Sequence, residues 1–329
     1  MFMLGELLNN HKDIIINTDI DGILSGCLLH KYYNANIVGF SNSKDKIWTI
    51  PGYKELDKPV YIDIFISNPK IASIDQHIIA VDDIHSEELK NNPLKMNPNL
   101  DINRNFLNNY NFKYPFGTVH YLLAMMTGEG IEVELPNLAN YIQGFEHITL
   151  GKMLLRADDA LYSTQGPYSY NAKQWWEYLM KLSNNSPIIQ SLISYIETLD
   201  KNRAWQIKNE TNHFFINVMK CTGGDGAFDE ITDAEGNLSE TFLNLFNCVC
   251  SWFNFGNIEI SKKYNINRGT FKKHIASKSD DIGYLKSFLT SERMFSYAFI
   301  YGPNKTFTNQ SSFNGNLSYT FDLQLSSNV

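Results

Sequence analysis

The stretch Asp13-Ile-Ile-Ile-Asn-Thr-Asp19-Ile-Asp21-Gly22-Ile-Leu-Ser25 decides the fold predicted for this chain. Its apolar run predicts a strand covered on both faces, and the apolar pattern that follows Gly22 predicts a helix. Asp19 and Asp21 are therefore expected where a parallel strand leads into a helix, which is where open α/β sheets place their sites. Carboxylates this close together suit hard divalent cations such as Mg²⁺ or Mn²⁺. The stretch thus predicts a metal-dependent enzyme.

The composition is that of an ordinary globular protein, with 43% apolar and 19% charged residues among 329. A net charge of −7 argues against general coating of nucleic acid, although a local basic groove is compatible with it. The four cysteines form no Cys-x-x-Cys pair, which indicates a reducing compartment. The sequence has no apolar run of membrane-spanning length and no basic leader. A cytoplasmic protein that does not enter membranes is expected.

The order of predicted elements indicates an α/β fold with a doubly wound, mainly parallel sheet. Alternating strands and helices occupy the first third of the chain, and helices follow them. A polar stretch near residue 205 predicts a boundary between a domain at 1–204 and a smaller mixed α/β domain at 205–329. Strands are predicted at 13–17, 36–40, 60–65, 78–81, 214–219, 295–301 and 317–325, and helices at 22–33, 116–126, 136–145, 171–182, 187–199, 240–253 and 282–289.

Acidic residues recur where three of these predicted strands end. Asp63 lies near the end of the apolar run 60–65, and Asp82 and Asp83 follow the run 78–81. Neighbouring parallel strands would bring these carboxylates close to those of Asp19 and Asp21. Such a cluster costs several kcal/mol unless cations neutralise it. Repetition across strands therefore predicts a metal site more strongly than any single aspartate.

Four segments carry a resemblance to a known family, over residues 10–180. They are Asn17-Thr-Asp19-Ile-Asp21-Gly22, Val60-Tyr-Ile-Asp63, Asp82-Asp83-Ile-His85 and Arg156-Ala-Asp158-Asp159. Their order resembles that of the motifs of the DHH superfamily of phosphoesterases. This superfamily includes RecJ-type single-strand exonucleases, oligonucleotide-degrading enzymes, cyclic-dinucleotide hydrolases and a manganese pyrophosphatase.

The resemblance implies two Mn²⁺ or Mg²⁺ ions that activate a bridging water for in-line attack on a phosphodiester. Asp63 is expected to bridge the ions, and Asp82 is expected to belong to the catalytic group. His85 is expected to contact the phosphate or protonate the leaving oxygen. The choice between Asp158 and Asp159 as ligand stays open. The expected metal ligands are Asp19, Asp21, Asp63, Asp82, Asp83 and Asp158.

The chain departs from the family pattern in two places. Asn17 stands where the family commonly has a histidine, and Asp83 stands where the first, metal-binding histidine of Asp-His-His belongs. A competing register places the third motif at Asp75-Gln76-His77. It is disfavoured because twelve residues from Asp63 to Asp75 are short for a helix and a return strand, whereas nineteen lead to Asp82. A short helix starting at residue 68 is predicted in that connection, and His77 is interpreted as a structural histidine.

One basic cluster with interleaved aromatic residues suggests a substrate surface. It favours binding of a phosphate backbone with stacked bases, although a solvated basic face explains it equally well. The Gly-Gly-Gly-His motif of the family's usual C-terminal domain is absent, so the second domain is expected to be divergent. The candidate substrate-binding residues are Arg268, Lys272, Lys273 and His274.

The expected function is hydrolysis of phosphodiester bonds in single-stranded nucleic acid or short oligonucleotides, attacked from an end. A phosphodiesterase or pyrophosphatase that acts on a small nucleotide is the alternative among enzymes. A nucleic-acid-binding or protein-binding relative without turnover is the alternative from another class. Asn17 and the altered third motif keep that last alternative open.

Overall fold

A computed structural model describes residues 3–54, 58–135, 170–197, 206, 209–277, 282–301 and 314–323. Within them the protein is α/β, with a seven-stranded, mostly parallel mixed sheet, flanking helices and a smaller three-stranded antiparallel sheet. This confirms the predicted fold class at that level. No described helix has the length and apolar character needed to cross a bilayer.

The large sheet is wound in two directions from its central strand β1. Its order is β6-β5-β4-β1-β2-β3-β7, with β2, β4, β5 and β6 in parallel ladders and β3 and β7 added antiparallel. Ile14, Ile15 and Ile16 of β1 are fully buried, as predicted for a strand covered on both faces. The carboxyl end of β1 is therefore the switch point of the sheet, where α/β proteins bind ligands. The strands of this sheet are β1 Asp13–Asn17, β2 Asn36–Ser41, β3 Lys46–Thr49, β4 Val60–Ile62, β5 Ser73–Ile74, β6 Lys95–Met96 and β7 Asn265–Arg268.

Most of the predicted helices are present in the described residues. The helix predicted at 282–289 is found with the same bounds, and the one predicted at 22–33 begins two residues earlier, where Asp19 caps it. The helix predicted at 136–145 lies outside the described residues. The α-helices are α1 Leu4–Asn10, α2 Ile20–Tyr33, α3 Asp83–Lys90, α4 Pro98–Asp101, α5 Phe106–Asn109, α6 Thr118–Gly128, α7 Tyr170–Leu182, α8 Pro187–Glu197, α9 Glu240–Trp252 and α10 Ile282–Leu289.

Two predicted strands are wrong. Residues 78–81 join no ladder and make only an isolated bridge from Ile78 to Phe299, with their side chains fully buried in an apolar cluster beneath the smaller sheet. Residues predicted as a strand at 214–219 instead form a π-helix, Phe214–Val218. The reason is the same in both cases, because a short apolar run does not distinguish a strand from other buried segments.

The connection from β4 to β5 contains no helix, so the short helix predicted from residue 68 is also wrong. Residues 63–72 instead form turns that one buried lysine holds in place. Lys95 Nζ donates hydrogen bonds to the carbonyl oxygens of Ile66 at 2.5 Å, Asn68 at 2.9 Å and Ile71 at 2.6 Å. The backbone N–H of Ser67 also donates to the carbonyl of Phe295 in the smaller sheet at 2.8 Å. Contacts from distant parts of the chain thus replace the crossover helix.

Burial lowers the pKa of Lys95 to about 7, which predicts a pH-dependent stability. Above pH 7 the unfolded lysine keeps a proton that the folded one releases, so the free energy of unfolding rises with pH. With an unfolded-state pKa of about 10.4, the gain between pH 7 and 9 is about 2 kcal/mol. Urea unfolding of the wild type and of Lys95→Met at both pH values measures it. Parallel pH dependence in the two proteins would contradict this titration.

The smaller sheet covers the carboxyl edge of the large one. Its order is β8-β10-β9, and all its ladders are antiparallel. β7 directly precedes β8 in the chain and pairs with β3, so the two sheets follow one another without a long linker. The predicted boundary at 204/205 falls outside the described residues. The strands are β8 Thr270–Ser277, β9 Met294–Tyr301 and β10 Asn314–Phe321.

Candidate metal centre

Two neighbouring parallel strands, β4 and β5, lead into polar side chains that meet at the carboxyl edge of the large sheet. β4 leads into Asp63, and β5 leads into Asp75 and then His77. One ligand atom from each of these residues lies within 4.8 Å of the other two, and no other such group of three occurs among the described residues. Asp63 and Asp75 are 3% and 1% exposed. The three side chains form a compact two-carboxylate, one-imidazole site that suits a divalent cation.

Asp63 is held rigidly at the middle of this centre. Its backbone has a φ of 62°, in the left-handed region that aspartate tolerates better than most residues. Asn17 Nδ2 donates to one carboxylate oxygen at 3.0 Å, and Thr118 Oγ1 donates to the other at 2.6 Å. Both bonds fix the side chain in one orientation.

The electrostatic environment of Asp63 is unfavourable without a cation. Burial raises the pKa of Asp63 well above its usual value, and the nearby carboxylates of Asp21, Asp19 and Asp75 raise it further. The hydrogen bond from Thr118 acts in the opposite direction but does not outweigh them. A buried carboxylate surrounded by like charges either binds a proton or binds a cation. The residues present therefore fit a metal ion.

Asp75 orients His77 by two hydrogen bonds. The imidazole Nδ1 lies 2.9 Å from Asp75 Oδ1, and the backbone N–H of His77 donates to Asp75 Oδ2 at 3.0 Å. The start of α4 fixes the loop from outside, since Asn97 Nδ2 donates to the His77 carbonyl at 2.8 Å and Asn99 Nδ2 to the Gln76 carbonyl at 2.7 Å. A carboxylate that orients a histidine is a common support of metal-binding imidazoles.

Asp19 and Asp21 lie beside the centre and anchor two helices. Asp19 caps α2 by accepting from the Gly22 N–H at 2.9 Å. Asp21 accepts from the backbone N–H groups of Thr118 at 2.8 Å and Val119 at 2.9 Å, so it fixes the start of α6. A Cβ on Gly117 would lie 2.6 Å from Asp21 Oδ2, which explains the glycine at this position. The first motif thus places Thr118 against Asp63.

The structure does not bring Asp82, Asp83 and His85 to this centre. Asp82 caps α3 by accepting from the His85 N–H at 2.8 Å and pairs with Lys286 at 2.9 Å. Asp83 accepts from the side chains of Asn105 and Asn108 on the far side of α3. These three residues form a helix N-terminus, with Asp82 as its cap.

Asp75-Gln76-His77 occupies the third strand end instead, in the register that the sequence argument disfavoured. Twelve residues are sufficient for this connection because β4 and β5 are joined by a loop and not by the expected crossover helix. The geometry of this centre therefore gives no support to the metal-binding and catalytic roles expected of Asp82, Asp83 and His85. The remaining expected ligand, Asp158, lies outside the described residues, as does Asp159.

A cleft of about 380 Å³ opens over the centre, between the carboxyl edge of the large sheet and one face of the smaller sheet. Asp19, Asp63, Asp75 and His77 line its floor. Lys273 of β8 lines the opposite wall, together with Lys44 from the connection between β2 and β3. The other three basic candidates, Arg268, Lys272 and His274, are exposed and do not line the cleft.

Comparison with known proteins identifies no relative. No family model, no curated protein and no solved structure matches the chain. Membership in the DHH superfamily therefore stays a prediction that rests on the motifs.

Proposed function

We propose that the protein is a DHH-like, divalent-metal-dependent phosphodiester hydrolase whose centre is Asp63, Asp75 and His77. The observation that carries this proposal is the convergence of two buried carboxylates and an imidazole within 4.8 Å at the switch point of the sheet. Hard oxygen ligands with one nitrogen suit Mn²⁺ or Mg²⁺. A cleft over the centre gives a substrate access to it.

Each residue of the centre has a distinct task in this proposal. A bound divalent ion supplies a water of lowered pKa and polarises the phosphoryl oxygen. Asp63 and Asp75 hold the ion, and Asp75 orients the His77 ring. Asn17 and Thr118 keep Asp63 in place by their hydrogen bonds. Burial of both carboxylates excludes water and strengthens their attraction for the ion and its substrate.

The resemblance to the family also implies a second metal ion. The described residues supply one group of three ligands. In this register Gln76 stands at the position of the family's metal-binding histidine, and Asn17 stands at that of the upstream histidine. A second ion would draw on Asp19, Asp21 and the expected ligand Asp158.

The proposed substrates are single-stranded nucleic acid or short oligonucleotides, attacked from an end. A small nucleotide is the alternative for an enzyme of this kind. The replacement of both family histidines by carboxamides favours the alternative from another class, a relative that binds nucleic acid or a protein without turnover. Hydrolysis with purified protein separates these alternatives.

Hydrolysis of bis-p-nitrophenyl phosphate in Mn²⁺ or Mg²⁺ is the expected result for the wild type. Asp63→Ala is expected to lose about a thousandfold or more of this activity, equivalent to about 4 kcal/mol of transition-state stabilisation. Removal of the metal with EDTA and its return should abolish and restore turnover. Absence of turnover with every divalent ion, together with retained binding of an oligonucleotide, would overturn the enzyme and support the binding protein.

A further inference from the structure

The smaller sheet has two chemically different faces. Side chains alternate along each strand, so every second residue faces the cleft. The ladder pairs Ser318 with Lys273 on one side and with Ala298 on the other. The next cleft-facing row pairs Thr320 with Phe271 and Ser296. All six of these residues line the cleft, and Tyr297 and Tyr319 from the row between them also contribute to its lining.

The opposite face of the same sheet is apolar core. Phe299 and Leu317 are almost completely buried there, in a cluster that includes Leu285 of α10. The face toward the cleft therefore carries small and hydroxyl-bearing side chains, whereas the opposite face is mainly apolar. Thr320 and Ser296 are 1% and 8% exposed, so Ser318 and Lys273 are the more accessible polar residues of these two rows.

Lys273 is the exposed cation of this wall. It has no carboxylate partner among the described residues, and its Nζ lies 6.0 Å from the ring centroid of Phe271. Lys44, the other cleft lysine, is paired with Asp229 at 2.6 Å. Thr320 Oγ1 donates to the Lys44 carbonyl and ties the sheet to that loop. A lysine that has no carboxylate partner in the described part of the chain and lines the same cleft as the metal centre is suited to an anionic group of the ligand.

We propose that Lys273 binds a phosphate group of the substrate other than the one hydrolysed. This rests on the proposed function. A lysine on the wall opposite Asp63 lies on the far side of a substrate whose reacting phosphate is at the metal centre. Ser318, which pairs with Lys273 in the ladder, adds a hydroxyl that suits a sugar or phosphate oxygen.

Lys272 provides a control within the same strand. It pairs in the ladder with Tyr319 and therefore projects from the face opposite that of Lys273. Lys272 is exposed and does not line the cleft. Substitution of either lysine changes the net charge equally, so a difference between the two variants reports position and not charge.

Steady-state hydrolysis in Mn²⁺ by Lys273→Ala and Lys272→Ala tests the proposal with two substrates, bis-p-nitrophenyl phosphate and a fluorescent pentathymidylate. Lys273→Ala is expected to raise KM for the pentathymidylate about tenfold or more and to change kcat/KM for the small ester by less than about twofold. Lys272→Ala should resemble the wild type with both. Equal losses on both substrates, or no loss on either, would overturn the proposal.

Binding of the pentathymidylate separates failure of this inference from failure of the proposed function. Fluorescence anisotropy with Ca²⁺ in place of Mn²⁺ measures affinity without turnover. Lys273→Ala is expected to weaken binding about tenfold and to lower the slope of log affinity against log salt by about 0.7, whereas Lys272→Ala does neither. A wild type that binds in this way but does not hydrolyse either substrate would refute the hydrolase and support the role of Lys273. Identical affinities for the two variants would refute that role.

Discussion

Asp75→Asn is expected to lower kcat/KM for bis-p-nitrophenyl phosphate in Mn²⁺ by about a thousandfold, whereas Asp82→Asn is expected to change it by less than about twofold. Asp75 is 1% exposed and lies in the centre with Asp63 and His77. Asparagine keeps the size of the side chain but removes the charge that attracts the cation. Asp82 caps α3 and pairs with Lys286, and asparagine is an equally good helix cap.

Mn²⁺ content and thermal unfolding complete this comparison. Asp75→Asn is expected to retain less Mn²⁺ after gel filtration, as measured by plasma mass spectrometry, while Asp82→Asn retains the wild-type amount. Similar melting temperatures for the two variants would show that the difference arises at the centre. Loss of activity in Asp82→Asn with full activity in Asp75→Asn would restore the register Asp82-Asp83-Ile84-His85 and refute the centre described above.

The first strand and its two aspartates could be predicted because every signal for them is local. The run from Ile14 to Ile16 is apolar, and Asp19 has the sequence context of a helix cap. The position of Asp63 at a strand end came from the resemblance to the family's second motif, because the apolar run itself continues to Phe65. Local patterns were therefore sufficient for the end of β1, and a motif was needed for the end of β4.

The third strand end could not be predicted because distant residues determine it. β5 is only Ser73–Ile74, too short to give a pattern of its own. The loop before it depends on Lys95 and on the smaller sheet, which lies far along the chain. Residues 78–81 have the stronger apolar pattern, but they pack beneath that sheet. The number of residues between two strands does not reveal that Lys95 and the smaller sheet hold the connecting loop.

Which lysine of the basic cluster faces the cleft also depends on the register of strand pairing. Sequence alone places Lys272 and Lys273 side by side, and a shift of one residue in pairing exchanges the faces of a strand. Only the ladder between β8 and β10 determines that Lys273 faces the cleft. A residue list from the sequence therefore contained the cleft lysine but could not distinguish it from its neighbour.

Lys95→Met is expected to lower the free energy of unfolding by about 3 kcal/mol. Lys95 Nζ donates to three carbonyl oxygens of the loop from β4 to β5, and methionine fills a similar volume without any donor. The Ile66 carbonyl then loses a buried donor and the Ile71 carbonyl a partly buried one, which is costly, whereas the Asn68 carbonyl still accepts from the Ile71 N–H at 3.2 Å. Because this loop begins at Asp63, hydrolysis is expected to fall as well, by an amount that Mn²⁺ in excess partly restores.

Urea unfolding at pH 7 measures the change, with Lys70→Met as the matched control. Lys70 lies in the same loop but is exposed, so its substitution is expected to change the free energy of unfolding by less than about 0.5 kcal/mol. A similarly small effect of Lys95→Met would mean that other contacts, such as the bond from Ser67 to Phe295, hold the loop alone. The buried lysine would then not be the reason that a parallel crossover forms here without a helix.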